Sequence, residues 1–217
     1  MKILITGGAG FIGSKLAEVL INRGYDITVL DNLLPQVHGD DPRNTSCTFK
    51  SLSGREKFIH GSVTNKADLQ KALQHQDIVV HLAAETGTGQ SMYAVERYTT
   101  VNISGTALLL DSIVNTKNKI KKVVVASSRA IYGEGKYFSK EYGIVYPGHR
   151  TKENMLKGDF EVKYKDSIAL ACLPTDEDSK IHPSSVYGIT KQNQEQMVLT
   201  VCKSIGIAGT ALRYQNV

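Results

Sequence analysis

The chain contains few cysteines. Its three, Cys47, Cys172 and Cys202, lie far apart in the sequence. An odd, scattered set of this kind excludes a disulfide framework and a paired-cysteine metal motif. The six histidines are equally dispersed, so we expect no metal site. Unpaired thiols predict a reducing compartment, and we expect a cytoplasmic protein.

Long apolar runs are also lacking. No stretch is long enough to cross a bilayer, and no secretory-length apolar segment stands at the N-terminus, so we expect no membrane partner. The net charge of +5 is not concentrated in a basic stripe, which argues against nucleic acid and suits a small polyanion such as a nucleotide diphosphate. The 217 residues suffice for one α/β domain with a sizeable core.

The N-terminal segment has the order strand, glycine turn, helix, strand, acid. This order is typical of a βαβ unit that binds a dinucleotide. The predicted parts are the strand Lys2–Thr6, glycines within 7–13, a helix over 11–23 followed by Gly24, and a strand over 27–30 that ends at Asp31.

Short apolar strands continue to alternate with helical patterns. The alternation predicts an α/β fold with a doubly wound parallel sheet, the Rossmann fold, covered by helices on both faces. Two polar stretches interrupt it: a loop over 32–56 and an insertion over about 134–183, long enough to be functional or a lobe of its own. The further predicted strands are Lys57–His60, 77–83, 122–127 and Ala208–Tyr214, and the further predicted helices are 66–74, 94–115 and 184–205.

Two overlapping glycine patterns occur in the first turn, Gly8-x-Gly10-x-x-Gly13 and Gly7-x-x-Gly10-x-x-Gly13. In either pattern one glycine permits the tight turn, one lets backbone N–H groups approach a pyrophosphate, and the last lets the helix pack closely. The helix N-terminus then faces the phosphates with unpaired donors. A plain glycine-rich turn is the alternative.

Asp31 at the end of the second strand sharpens this prediction. A carboxylate there can bind the adenosine ribose hydroxyls and would repel a 2′-phosphate, so NAD is favoured over NADP. The alternative is an ordinary turn residue before Asn32.

Six motifs occur in a fixed order along the chain: TGGAGFIG at 6–13, Asp31-Asn32, HLAAET at 81–86, SSRAIYG at 127–133, YGITK at 187–191 and LRYQNV at 212–217. Together they resemble the extended short-chain dehydrogenases of the NAD-dependent epimerase/dehydratase family. The resemblance implies an NAD-dependent enzyme acting on a nucleotide-activated sugar. It assigns cofactor contacts to Gly7, Gly10, Phe11, Ile12, Gly13, Asp31, Asn32, Ser62, Val63, Leu82, Ala83, Ala84, Asn102, Tyr187, Lys191, Tyr214 and Gln215, and substrate contacts to Thr86, Ser128 and Asn216.

Tyr187 and Lys191 are four residues apart on a predicted helix and so share a face. Using a tyrosine as a base near neutral pH requires lowering its pKa by roughly 3 units, about 4 kcal/mol. A neighbouring ammonium and a positive nicotinamide ring can supply this. Ser128 aligns with the family's hydroxyl that binds the reacting sugar oxygen. The alternative is a Y-x-x-x-K pair without function on an exposed helix.

The residues after Ser128 help to choose among the family's reactions. Where the resemblance implies Asp-Glu in dehydratases, this chain has Arg129 and Ala130, which cannot act as carboxylate acid or base. This favours epimerisation at C4, through a transient keto-sugar with hydride return, or simple oxidoreduction. A dehydratase or keto-sugar reductase of the same family and a non-catalytic NAD-binding protein remain as alternatives.

Further expectations rest on the resemblance alone. The insertion, with TDED at 175–178 and the stretch 184–195, resembles a branch that includes dTDP-L-rhamnose 4-epimerases. Some relatives carry paired cysteines in this insertion that could hold zinc, whereas this insertion has only Cys172. Gly61-Ser62 stands where the family has Gly-Asp, so adenine binding is expected to be weaker or water-mediated.

Two larger expectations also come from the resemblance. Residues 1–217 form the NAD-binding domain, and the C-terminal substrate-binding part is missing, so neither sugar nor nucleotide base is specified. The helices 94–115 and 184–205 are expected to pair with their copies in a homodimer, with Leu108, Leu109 and Ile113 as candidates for the interface. Burial of these helices only against their own sheet is the alternative.

Overall fold

A computed structural model describes residues 1–52, 54–165 and 170–215. Six strands form one parallel sheet in the order β3-β2-β1-β4-β5-β9, which confirms the predicted doubly wound fold. The strands are β1 (Lys2–Thr6), β2 (Asp26–Asp31), β3 (Lys57–His60), β4 (Ile78–His81), β5 (Lys122–Ser128), β6 (Tyr137–Ser139), β7 (Gly143–Val145), β8 (Leu170–Cys172) and β9 (Ala208–Tyr214).

The helices stand where the sequence predicts them, with one-turn helices added in the loops. They are α1 (Phe11–Asn22), α2 (Pro35–His38), α3 (Pro42–Thr45), α4 (Cys47–Lys50), α5 (Lys66–Leu73), α6 (Thr88–Ser91), α7 (Val95–Tyr98), α8 (Gly105–Val114), α9 (Lys152–Leu156) and α10 (Val186–Ser204). None of the helices in the described ranges is both long and apolar enough to cross a membrane.

The core has two parts, one on each face of the central sheet. Because neighbouring side chains of a strand point to opposite faces, Leu4 joins one part and Ile3 and Ile5 join the other. The first part packs against α5, α8 and α10, and the second against α1. Burial on both faces explains why the strands show apolar runs rather than alternation.

The helix predicted over 94–115 is interrupted by a π-helical segment, Thr99–Ser104, between α7 and α8. The sequence pattern predicts one continuous helix over 94–115 and gives no separate signal for the π segment. The same region corrects the expected dimer face. Leu109 and Ile113 are buried in the core of this chain and Leu108 packs against it, so these side chains fix α8 to its own sheet.

The insertion contains its own small sheet, an antiparallel arrangement in the order β7-β6-β8. It is tied to the main sheet by short contacts: the backbone N–H of His182 donates to Ile131 O at 3.0 Å, and Arg213 Nη1 on β9 donates to Glu177 O at 2.8 Å. The loop 32–56 contains α2, α3 and α4. Sequence periodicity did not predict these elements, because each is shorter than two helical turns or four strand residues.

Candidate active site

A cavity of about 520 Å³ opens at the carboxyl ends of the central strands. This is the edge at which ligands bind in doubly wound sheets. Of the predicted cofactor- and substrate-binding residues within the described ranges, all but Asn102 line this cavity: Gly7, Gly10, Phe11, Ile12, Gly13, Asp31, Asn32, Ser62, Val63, Leu82, Ala83, Ala84, Thr86, Ser128, Tyr187, Lys191, Tyr214 and Gln215.

The glycine turn forms the floor of the cavity. Gly7 has a φ of +69°, and a Cβ atom there would lie 2.7 Å from the backbone nitrogen of Ala83. A Cβ at Gly13 would lie 2.5 Å from Gly7 O. Helix α1 starts at Phe11 without a side-chain cap, so its first backbone N–H groups face the cavity as an anion site.

Asp31 stands at the end of β2 on the cavity wall and is buried. One carboxylate oxygen accepts from Ala9 N at 3.0 Å, and the other accepts from Leu33 N at 2.9 Å. His38, buried on α2, lies 3.8 Å from the same carboxylate, and its other ring nitrogen is 2.8 Å from the Ser46 hydroxyl. Sequence reasoning missed His38, because nothing local links α2 to the end of β2.

Tyr187 lies in the first turn of α10, where the Ser185 hydroxyl caps the helix by accepting from Gly188 N at 3.0 Å. Burial raises the pKa of Tyr187 above its ordinary value, and a hydrogen bond with Ser128 partly opposes that rise. Ser128 ends β5, and its hydroxyl also accepts from Ala130 N at 3.1 Å. The fold thus joins a phenol and a hydroxyl from separate elements at the cavity wall.

Lys191 lies one helical turn after Tyr187, and the structure places both on the cavity wall, as their spacing predicts. Its Nζ donates to Gln194 Oε1 at 2.6 Å. Burial lowers the pKa of Lys191 to about 7, so its charge in this state is marginal near neutral pH.

The cavity wall includes polar side chains that sequence reasoning did not assign. Ser127 is buried there, and in the described part of the chain its hydroxyl oxygen has no hydrogen-bond partner. Glu85 is buried too and pairs with Arg97 at 2.7 Å. Both stand inside motifs quoted from the sequence, next to assigned residues, and that proximity was the available signal.

Asn102 is not on the cavity wall, which corrects its expected place. It is fully buried in the π-helical segment, where its amide accepts from Glu85 N at 2.8 Å and donates to Glu85 O at 3.0 Å. It also donates to the Thr190 hydroxyl at 2.9 Å. Asn102 therefore links the loop after β4 to α10 through hydrogen bonds that lie behind the cavity wall. Asn216 lies outside the described residues.

Ser62 reaches the cavity, but its polar groups are already bonded within the chain. Its backbone N–H donates to Asp68 Oδ2 at 2.9 Å, and its hydroxyl lies 2.8 Å from the Thr64 hydroxyl. The expectation of weaker or water-mediated adenine binding stays a prediction. No cluster of three or more potential metal ligands occurs within the described ranges, and Cys172 is exposed.

Comparison with known proteins agrees with this geometry. Residues 3–151 match the model of the NAD dependent epimerase/dehydratase family. A dTDP-L-rhamnose 4-epimerase of Burkholderia thailandensis is 36% identical over 219 residues, covering 100% of this chain and 58% of that enzyme. Among solved structures, UDP-glucuronic acid 4-epimerase from Bacillus cereus, in complex with UDP-glucuronic acid and NAD, superposes with a TM-score of 0.70 at 29% identity.

The Brucella ovis UDP-glucose 4-epimerase, solved in complex with NAD, superposes with a TM-score of 0.71 at 27% identity. The superpositions cover 99% of this chain in both cases, but 56% of the B. cereus and 52% of the B. ovis protein. The chain thus spans about half the length of the relatives it matches.

Proposed function

This chain belongs to the NAD-dependent epimerase/dehydratase family, and we propose that it binds NAD and provides the catalytic residues of a nucleotide-sugar 4-epimerase. The observation that carries the proposal is that Tyr187, Ser128 and Lys191, from three separate positions in the sequence, share the wall of the glycine-floored cavity. The 36% identical dTDP-L-rhamnose 4-epimerase supports the same reaction class.

The residues present fit NAD. A Cβ at Gly7 or Gly13 would clash with backbone atoms of Ala83 or Gly7, so only glycines allow the tight turn that presents the N-terminus of α1 to a pyrophosphate. Asp31 supplies a carboxylate for the adenosine ribose hydroxyls, and the same carboxylate disfavours a 2′-phosphate. At the β5 end, the unpartnered Ser127 hydroxyl offers a hydrogen bond to a ligand.

When bound, NAD would accept a hydride from the sugar and return it. Tyr187 takes the proton of the sugar hydroxyl at C4 through its phenolic oxygen, and Ser128 holds that hydroxyl in place by a hydrogen bond. Lys191 would hold the cofactor and, when charged, stabilise the phenolate. Arg129 and Ala130 add no acid or base beside these groups, so neither water loss nor decarboxylation is assisted.

The test uses the full-length gene product in heavy water, with NAD and a panel of UDP- and dTDP-sugars that includes dTDP-L-rhamnose. NMR should show a product inverted at C4 without solvent deuterium in the sugar, because the hydride returns internally. Deuterium at C5 or C6, or loss of water, would contradict 4-epimerisation and indicate dehydratase chemistry. A Tyr187→Phe variant that kept normal turnover would contradict the assignment of the base.

We also propose that the 217 residues act as one NAD-binding domain carrying the 134–183 insertion. Cys47 and Cys172 are exposed free thiols, which suits the reducing cytoplasm. Cell fractionation tests the compartment. To test the domain assignment, the insertion 134–183 is removed, and the shortened chain is expected still to bind NADH. Loss of NADH binding on removal of the insertion would contradict it.

A homodimer completes the proposal. With Leu109 and Ile113 buried, the support comes from other side chains: Val95 on α7 and Ile189 and Leu199 on α10 are exposed apolar groups on the two helices expected to pair. Light scattering that shows only monomer at micromolar concentration would contradict the dimer.

A further inference from the structure

A buried polar network lies behind the cavity wall at Lys191. At its centre is Gln194, fully buried one helical turn after Lys191. Its Oε1 accepts from Lys191 Nζ at 2.6 Å, and its Nε2 donates to the Thr106 hydroxyl oxygen at 2.8 Å. The proposed reaction assigns Gln194 no role. Burying an amide costs free energy unless its oxygen and nitrogen are hydrogen-bonded, so its partners indicate what it does.

The hydrogen bonds of the network determine which way the amide of Gln194 faces. The Thr106 hydroxyl donates to Asn102 O at 2.6 Å, so its oxygen can only accept from its other neighbours. Gln194 Nε2 donates to it, and His81 Nε2 lies 2.9 Å from the same oxygen and 3.3 Å from Gln194 Nε2. The Gln194 nitrogen must therefore face Thr106, and its oxygen must face the amine.

The protonation state of His81 fixes the direction of the hydrogen bonds among His81, Thr106 and Gln194. Thr6 Oγ1 already accepts from Ala83 N, so we assign its hydroxyl as the donor to His81 Nδ1, 2.7 Å away, and this assignment places the proton of the neutral ring on Nε2. Burial, with a smaller contribution from the Lys191 charge, lowers the pKa of His81 to about 3. His81 thus stays neutral at neutral pH, so the donor and acceptor roles in the network do not change there.

The amine of Lys191 has three donor positions when charged. In the described ranges, Gln194 Oε1 is the one acceptor to which it donates, and Lys191 also lines the cavity. Its other N–H groups are therefore free for a ligand. An amide oxygen holds the amine in place without neutralising it, whereas a carboxylate at the same point would form a salt bridge and compete for those donors.

We propose that Gln194 is a positioning residue for Lys191: it orients the amine toward the cavity through an uncharged acceptor, so that the amine's positive charge remains available to the dinucleotide and to Tyr187. The expected effect of Gln194 on NADH binding rests on the proposed function, but its effect on the orientation and pKa of the Lys191 amine does not. The low pKa of Lys191 agrees with an amine that is buried beside a neutral partner.

Few other titratable groups face the amine. They include Tyr187, which lines the same cavity, and His81 on β4, whose pKa the Lys191 charge helps to lower. The charged side chains on the elements packed against α10 lie away from the amine: Arg213 pairs with Glu195, Arg97 pairs with Glu85, Glu96, Asp111 and Arg129 are exposed, and the half-buried Lys122 stands at the amino end of β5, opposite the cavity. Titration of Lys191 should therefore report chiefly on its contact with residue 194.

The experiment follows the Lys191 side chain by NMR in the 217-residue chain labelled with ¹⁵N-lysine, with Lys191→Arg to assign the resonance. In the unsubstituted chain we expect a midpoint near neutral pH. Gln194→Glu should raise the Lys191 midpoint by at least about one pH unit, because a carboxylate favours the charged amine. Gln196→Glu makes the same change at an exposed position of α10 and should leave the midpoint unchanged.

NADH titrations of the same proteins give the second measurement. Between about pH 6 and about pH 8, the Kd of the unsubstituted chain should rise about tenfold as Lys191 loses its proton, and that of Gln194→Glu should change little. Gln194→Met, which fills the space without an acceptor, should weaken NADH binding at both pH values while retaining the circular dichroism spectrum of the parent. This variant keeps the test informative if the carboxylate disturbs folding.

The outcomes separate the two proposals. If Gln194→Glu and Gln196→Glu give the same Lys191 midpoint, or if folded Gln194→Met binds NADH as well as the parent, Gln194 does not position the amine. If NADH fails to bind any of the proteins while Gln194→Glu still shifts the midpoint, the proposed function fails and the positioning of Lys191 stands.

Discussion

The carboxylate of Asp31 accepts a hydrogen bond from the backbone N–H of Ala9 at 3.0 Å. This contact ties the end of β2 to the glycine turn between β1 and α1. The group expected to bind the adenosine ribose is therefore held by the same turn that forms the pyrophosphate site. The two halves of the proposed dinucleotide site are positioned together, before any ligand enters.

Asp31→Asn should weaken NADH binding by about tenfold to a hundredfold, because hydrogen bonds to a charged group contribute about 1.5–3 kcal/mol. The loss of charge should also narrow the difference in affinity between NADH and NADPH. Fluorescence titration with both cofactors measures this. Asp26→Asn, at the exposed start of the same strand, is the control and should bind like the parent. Unchanged NADH affinity in Asp31→Asn would contradict the ribose assignment.

Gly13→Ala should lower the free energy of unfolding by about 1–3 kcal/mol, the range for overpacking, because its Cβ would lie 2.5 Å from Gly7 O. It should also abolish NADH binding, since the turn must shift. Urea unfolding and NADH titration measure the two effects. At Gly148 an added Cβ meets nothing within 4 Å, so Gly148→Ala should be near neutral. Equal stability of the two variants would be inconsistent with a tightly packed turn.

Tyr187 should ionise above the ordinary tyrosine pKa of about 10 in the ligand-free chain, because burial raises its pKa. The phenol is then protonated throughout the neutral range. NAD⁺ should lower the midpoint, because its positive ring favours the phenolate, whereas NADH should not. The difference in phenolate absorbance between the parent and Tyr187→Phe isolates this residue from the other tyrosines. The same midpoint with and without NAD⁺ would argue against a base at Tyr187.

Glu195→Ala should destabilise the chain by about 1–3 kcal/mol, because it leaves the partly buried Arg213 without its carboxylate partner. Glu195 lies 2.6 Å from Arg213 with its side chain 6% exposed, and Arg213 also donates to the Tyr132 hydroxyl at 2.5 Å. Denaturant unfolding measures the loss. Glu153→Ala breaks an exposed pair with Lys157 and should cost at most about 1 kcal/mol. Similar losses in both variants would show that the Glu195 pair is not buried in solution.

Most of the central fold could be predicted from local patterns. The strands β1, β3 and β9 lie where the sequence predicts them, and α1, α5 and α10 differ from prediction by one or two residues at an end. Their apolar residues are local signals: each helix buries one face, β1 is buried on both faces, and β3 and β9 contribute partly buried apolar residues to the sheet. The short elements of 32–56 and 134–183 have no such signal, since they are stabilised by contacts distant in sequence.

The sequence alone predicted the glycine turn, the position of Asp31 and the Tyr187–Lys191 pair. Each depends on local geometry: a turn in which a Cβ does not fit, the end of a strand, and one face of a helix. Only the tertiary structure brought His38 beside Asp31, placed Asn102 behind the wall, and set Gln194 between Lys191 and Thr106. Each of these contacts joins elements far apart in the chain. Their energy depends on burial and hydrogen-bond direction, which no local pattern of residues encodes.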